Sequence, residues 1–176
     1  MPVVETTIIE GYDAATKARL LKGMTRVVRS VMAAPPEGVV TILRELSPSS
    51  YARGGVSRVP GPPLPPAIEV AAALAAALAK GDAAAAGELV TESFAALDPR
   101  GRSLTLQEAV AAAASLKKTF EAFDEALTDE GSLVFAHGTL AGADAEGRAV
   151  SGIRFVDRFR MAGPRISEQV TWAALA

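Results

Sequence analysis

Arg58-Val59-Pro60-Gly61-Pro62-Pro63-Leu64-Pro65-Pro66 carries five prolines in nine residues. Proline fixes φ and removes a backbone donor, so this stretch suits neither a helix interior nor a central strand. It reads as an extended, semi-rigid spacer. The residues on its two sides follow different patterns. Two modules are therefore expected, residues 1–57 and 67–176, joined by a linker over 58–66.

Before the linker, Pro2 to Ile9 is rich in β-branched residues and reads as a strand. Glu10-Gly11-Tyr12-Asp13 is a turn whose Asp13 can cap a helix. Over 14–33, Leu20, Leu21, Met24, Val27, Val28, Val31 and Met32 recur at helical spacing. Ala34-Pro35-Pro36 stops that helix, Val39 to Leu46 is a second strand, and Gly54-Gly55 ends a loop. The β-α-β order predicts parallel strands. Such a unit has too little core to stand alone and needs partners.

After the linker, Ala67 to Lys80 is an alanine-rich helix closed by Gly81, and Asp82 to Glu92 is a second helix. Thr105-Leu106-Gln107-Glu108 is a capping box opening a third, expected to reach about Lys118. Strands are expected over about 120–127, 132–141, 149–161 and 165–173. Helices first and an antiparallel meander second predict an α+β fold with helices packed on one curved sheet.

The chain of 176 residues is 49% hydrophobic and 22% charged, which suits a protein that buries a core. It has no cysteine and a single histidine, His137, so disulfides, thiolate chemistry and a multi-histidine metal site are excluded. No metal and no cofactor are expected. No apolar run approaches the roughly 20 residues of a membrane span. Met1-Pro2-Val3-Val4-Glu5 lacks the basic start of a signal peptide, so a cytoplasmic protein without membrane partners is expected. Through Arg58 there are eight Lys/Arg against five Asp/Glu, and afterwards ten against fifteen, giving +3 and −5. Neither half has the clustered basic charge that nucleic acid requires.

The first module resembles the 4-oxalocrotonate tautomerase family over residues 2 to 57. The likeness rests on Pro2 directly after Met1, the strand ending in Glu10-Gly11, the long helix, Ala34-Pro35, and Tyr51 before Gly54-Gly55. If Met1 is removed, Pro2 presents a secondary amine. α-Amino groups titrate near pH 8, and desolvation favours the neutral form further. A neutral amine can shuttle a proton between carbons of an enol or an α,β-unsaturated acid. The resemblance implies that Pro2 is this base and that Tyr51 forms the pocket wall. Members acting on dicarboxylates carry two arginines where this chain has Tyr12 and Val40. Arg44, on the Val40 strand face, and Arg53, in the glycine loop, are the candidates to replace them.

In the second module, Ile153, Phe155, Asp157, Phe159 and Met161 share one strand face while Arg154, Arg158 and Arg160 share the other. An acid thus sits within an apolar row, where burial disfavours ionisation and would let it donate a hydrogen bond. Ile166, Glu168, Val170 and Trp172 share a face by the same alternation, and His137 follows Leu133 and Phe135. This module resembles the nuclear transport factor 2-like superfamily, which includes SnoaL-like polyketide cyclases and ketosteroid isomerases, over about 67 to 174. The likeness rests on Gly81-Asp82, on Phe94 followed by Leu97-Asp98-Pro99-Arg100-Gly101, on Phe155-Val156-Asp157-Arg158-Phe159, and on Trp172. The ketosteroid isomerase pattern implies Asp98 as proton-shuttling base and Asp157 at the oxyanion position. The tyrosine of that pattern has no counterpart here.

Three functional readings follow. One is a tautomerase or isomerase using Pro2. The second is a cyclase or isomerase using Asp157 with Asp98 or Glu168. The third is a non-catalytic small-molecule-binding protein. All three imply a small-molecule ligand, with His137, Glu168 and Trp172 as binding or rim residues, and a homo-oligomer, whether dimer, trimer or hexamer.

Overall fold

The computed structural model describes residues 1–143 and 147–174, and the chain divides into two units, Met1–Pro63 and Leu64–Ala176. Residues 144–146 and 175–176, within the second expected module, lie outside the described residues.

In the first unit, β1 (Val3–Ile9) and β2 (Val40–Leu46) pair in parallel, with Val3 opposite Val40 and Ile9 opposite Leu46. Helix α1 (Ala14–Val31) connects them, and β3 (Ala52–Arg53) and β4 (Val56–Ser57) form a short hairpin. Gly54 and Gly55 turn that hairpin at φ +60° and +78°, a pair of left-handed conformations that glycine adopts without strain. Asp13 caps α1 by accepting from the Thr16 N–H at 2.7 Å. That bond holds the Asp13 carboxyl below its ordinary value of 3.8. The Thr6 hydroxyl donates to Met24 Sδ at 2.9 Å, and Lys17 meets Glu45 at 3.0 Å, so the helix is tied to both strands. No described residue of this unit is fully buried.

The second unit orders its sheet β6-β5-β10-β9-β8-β7. The strands are β5 (Val90–Leu97), β6 (Ser103–Leu104), β7 (Leu116–Thr128), β8 (Gly131–Ala143), β9 (Ala149–Ala162) and β10 (Arg165–Ala173). Only β5 and β10 run parallel; the other neighbours are antiparallel. Helices α2 (Ala67–Lys80), α3 (Ala83–Leu89) and α4 (Leu106–Ser115) cover one face of this curved sheet. Val70, Leu74 and Leu78 recur every four residues along α2, with Ala71 beside them, and bury in one core with Val134, Ala136, Phe159 and Ile166. Burying a side chain of this size stabilises the fold by about 1.5–3 kcal/mol. Gly81, at φ +71°, ends α2 in the left-handed conformation, with Asp82 N–H reaching back to Ala77 O at 3.0 Å.

The sequence reading places no strand at β5 or β6, and the parallel β5–β10 pair departs from the all-antiparallel meander it predicts; two helix ends also differ. The helix expected to reach Glu92 stops at Leu89, because β-branched Val90 and Thr91 open β5, which pairs with β10. The helix expected to reach Lys118 stops at Ser115, and β7 begins at Leu116 opposite Gly142. Glycine is required at Gly138, where an added Cβ would stand 1.9 Å from the Thr119 carbonyl oxygen. Backbone would have to move, so Gly138→Ala is expected to lower the unfolding free energy by about 3 kcal/mol, measured by urea titration.

The capping box of α4 makes stability pH-dependent. Glu108 accepts from the Thr105 N–H at 2.7 Å and from its hydroxyl at 2.9 Å, and these bonds hold its carboxyl below the ordinary value of 4.5. A lowered folded value means that the cap contributes above 4.5 and is lost as pH falls through the folded value. Glu108→Gln keeps an acceptor but no titration. Thermal melts below pH 4.5 should therefore fall more steeply for the wild type than for this variant.

Candidate functional site

Period-two alternation along β9 turns Phe155, Asp157, Phe159 and Met161 inward. On β10 the alternation is interrupted, because a bulge between Ile166 and Glu168 shifts the register. Ile166 is inward before it; Gln169 and Thr171 are inward after it. Lys118, on the edge strand β7, reaches the same place on this face from across β8. Its Nζ donates to both Asp157 oxygens at 2.7 Å and to the Thr171 hydroxyl at 3.0 Å. Thr171 donates to Asp157 Oδ1 at 2.7 Å, and Gln169 Nε2 donates to Oδ2 at 3.1 Å. The ammonium also stands 5.1 Å from the Phe155 ring centroid, within cation–π range.

Asp157 has no exposed surface, yet each of its oxygens accepts two hydrogen bonds. This is the bonding of an acceptor-only carboxylate. It corrects the expectation that burial would make Asp157 a donor: a cation placed against it, with two further donors, compensates the loss of water.

This cluster forms the floor of a cavity of about 450 Å³. Ala75, Ala79, Ala109, Ala112 and Ala113 line its walls, and it is their small side chains that leave the space unfilled. Asp98 and Pro99 also line it. Asp98, expected as a base, accepts from the N–H groups of Arg100 at 3.0 Å and Arg102 at 2.9 Å, and pairs with the Arg102 guanidinium at 3.2 Å. Its oxygens hold the turn that brings the chain back to β6.

The remaining expected residues of this unit lie on the opposite sheet face. The bulge puts Glu168 there, paired with Arg158 and 3.8 Å from Arg160 Nε, instead of among the apolar residues that unbroken alternation predicts. His137 Nε2 is 3.7 Å from Glu121, which also binds Arg154 at 2.6 Å. Trp172 is half exposed, with the Arg158 guanidinium 5.7 Å from its ring. None of the three joins Asp157.

In the first unit, Val40 N–H donates to the Pro2 carbonyl at 3.0 Å and fixes residue 2 at the head of β1. Pro2 is half-buried, and with Met1 attached its nitrogen is a peptide nitrogen. Arg44 pairs with Glu5 on the neighbouring strand. Tyr51 follows a 3₁₀ turn at Pro48–Ser50, Arg53 is exposed beside Gly54, and Tyr12 is half-buried before the cap of α1. Among the described residues, no hydrogen bond or ion pair joins Pro2 to Tyr12, Tyr51, Arg44 or Arg53.

Sequence reading missed Lys118, Gln169 and Thr171. Lys118 was masked by the helical pattern ahead of it. Gln169 and Thr171 were masked by the bulge, which strand periodicity cannot reveal. Among the described residues, no helix is long and apolar enough to cross a membrane.

Helices packed on one curved sheet around a ligand-sized cavity define an α+β cone domain. Residues 70–169 match the SnoaL-like domain model, and the chain belongs to that family. Residues 2–59 match the tautomerase enzyme model. Similar solved structures include a cystatin-fold protein from Novosphingobium aromaticivorans, 16% identical, covering 59% of this chain and 95% of that one, with a TM-score of 0.49. Another is a protein from Sphaerobacter thermophilus, 20% identical, covering 62% and 97%, TM-score 0.47. A third is a candidate polyketide cyclase from Pseudomonas putida KT2440, 20% identical, covering 61% and 91%, TM-score 0.47. Among curated proteins none matches the chain.

Proposed function

We propose that the chain is an isomerase-type enzyme that moves a proton on a small enolisable carbonyl compound, and that the reaction runs in the cavity of the second unit. The observation that carries this reading is the Lys118–Asp157 pair at the floor of a cavity walled mainly by alanine and leucine side chains. Enolisation needs a cation at the carbonyl oxygen and a base at the adjacent carbon. In the proposed step the substrate oxygen displaces the Thr171 hydroxyl from Lys118; the same movement withdraws that hydroxyl from Asp157 Oδ1 and uncovers the otherwise fully buried carboxylate, which takes the proton from the adjacent carbon. The C–H electron pair becomes the enolate double bond, and the negative oxygen is held by Lys118. Return of the proton to the enolate oxygen gives the enol, and in a β,γ-unsaturated substrate its return to the γ-carbon completes a double-bond isomerisation.

A second reading places the reaction at Pro2. It is favoured by the tautomerase match over residues 2–59 and by the bond that fixes Pro2 at the head of β1. It requires removal of Met1. It also requires a homo-oligomer, since a unit without a buried side chain must draw its pocket walls from further copies.

The test uses two probes: ketonisation of phenylenolpyruvate, and solvent deuterium uptake at the carbons flanking the benzylacetone carbonyl. Loss of turnover in Asp157→Asn with Pro2→Ala retained supports the cavity. Loss only in Pro2→Ala assigns the reaction to the first unit and overturns the cavity reading. No change in either variant overturns proton transfer altogether and leaves a binding protein.

A further inference from the structure

One polar atom beside the cavity is left unsatisfied by the fold. Gln169 lines the cavity at 5% exposure, and its Oε1 has no hydrogen-bond partner. The amide orientation is not arbitrary: Nε2 donates to Asp157 Oδ2 at 3.1 Å, and an acceptor-only carboxylate fixes nitrogen, not oxygen, on that side. Oε1 is thereby committed to a direction in which no described residue supplies a donor. Among the described residues, the other buried side-chain atom in this condition is Arg158 Nε, on the opposite sheet face. Buried acceptors are nearly always paired, so an orphan next to a cavity asks for a donor from outside.

The charges of the floor constrain what brings that donor. Lys118 directs its ammonium at Asp157 and Thr171, so the pair is neutral as a unit. A ligand arriving as an anion would add a charge that this neutral pair does not offset and would meet the Asp157 carboxylate and the Gln169 carbonyl oxygen, whereas an enolate formed in place appears only as Asp157 is neutralised by the proton it takes. Lys117 lines the cavity too, but it is exposed, and an ion pair there is screened by water. The alanine walls offer only apolar surface.

We infer that the cavity takes a neutral ligand carrying a hydroxyl on a compact apolar frame, and that this hydroxyl donates to Gln169 Oε1. The inference rests on the proposal that the cavity is the functional site, and it names the ligand class and the residue that reads it.

The experiment titrates the full chain with cinnamyl alcohol, its methyl ether and cinnamate, following ligand signals by NMR to obtain Kd. These probes share a frame and differ in carrying a neutral donor, no donor, or a negative charge. The alcohol is expected to bind about tenfold tighter than either of the others. In Gln169→Met, similar in length but without an acceptor, the alcohol and the ether are expected to bind alike, with far-ultraviolet circular dichroism confirming the fold. Gln169→Glu, which keeps an acceptor, is expected to restore part of the preference. Equal binding of alcohol and ether by the wild type, or no saturable binding of the alcohol, overturns the inference. Tightest binding of cinnamate overturns the neutral class, and a preference that survives in Gln169→Met removes the role of that residue. Each of these results leaves the proton-transfer proposal intact, because that stands or falls on turnover in Asp157→Asn.

Discussion

Asp157→Asn is expected to reduce deuterium uptake into benzylacetone about 10³-fold, within the range that a positioned general base contributes. The asparagine amide has the size of the carboxylate but no basic oxygen of comparable strength. Substrate affinity should change far less than turnover, because the walls that hold the apolar frame are untouched. A fall in kcat with a nearly constant KM is therefore the expected signature. A drop confined to KM would show that Asp157 only shapes the cavity. The substitution also strips Lys118 of its counter-charge, so the comparison belongs at a temperature where circular dichroism shows both proteins folded.

The second large effect concerns stability. Lys118→Met is expected to cost about 3–5 kcal/mol, because it leaves a buried carboxylate without its cation. Asp157 has no exposed surface, and the Thr171 and Gln169 donors that remain are neutral. The double variant Lys118→Met with Asp157→Leu should recover part of the loss by removing the charge along with its partner. Urea titrations of the wild type, the single variant and the double variant measure this directly. If the single variant is as stable as the wild type, the pair does not hold the floor together. The contrast also separates structure from chemistry: the double variant should be folded and without turnover.

Much of the architecture is legible in the residues. The alternation through Phe155, Asp157 and Phe159, and the capping box at Thr105, each leave a local pattern that one physical rule reads. The partners of Asp157 leave none. Leu106–Ser115 is an alanine-rich helix, and Lys117-Lys118 after it suits a helix C-terminus, where cations are favoured. Pairing with β8 overrides that preference, and the reason lies at Gly138 and Gly142, whose missing Cβ atoms admit the β7 backbone. Glu168 and Gln169 exchange faces through one bulge, which depends on how β10 meets β9 and not on composition. Propensity and periodicity are local, whereas the floor of the cavity is assembled from strands 39 and 53 residues apart in sequence.

The chamber separates size from chemistry. Its alanine wall stands on helices, while the Lys118–Asp157 pair stands on strands. Exchanging one alanine for valine or leucine would narrow the space by two or three carbon atoms and leave the ion pair where it is. Descendants of such a fold can thus alter which molecules they admit in small volumetric steps, each independent of how an admitted molecule is handled.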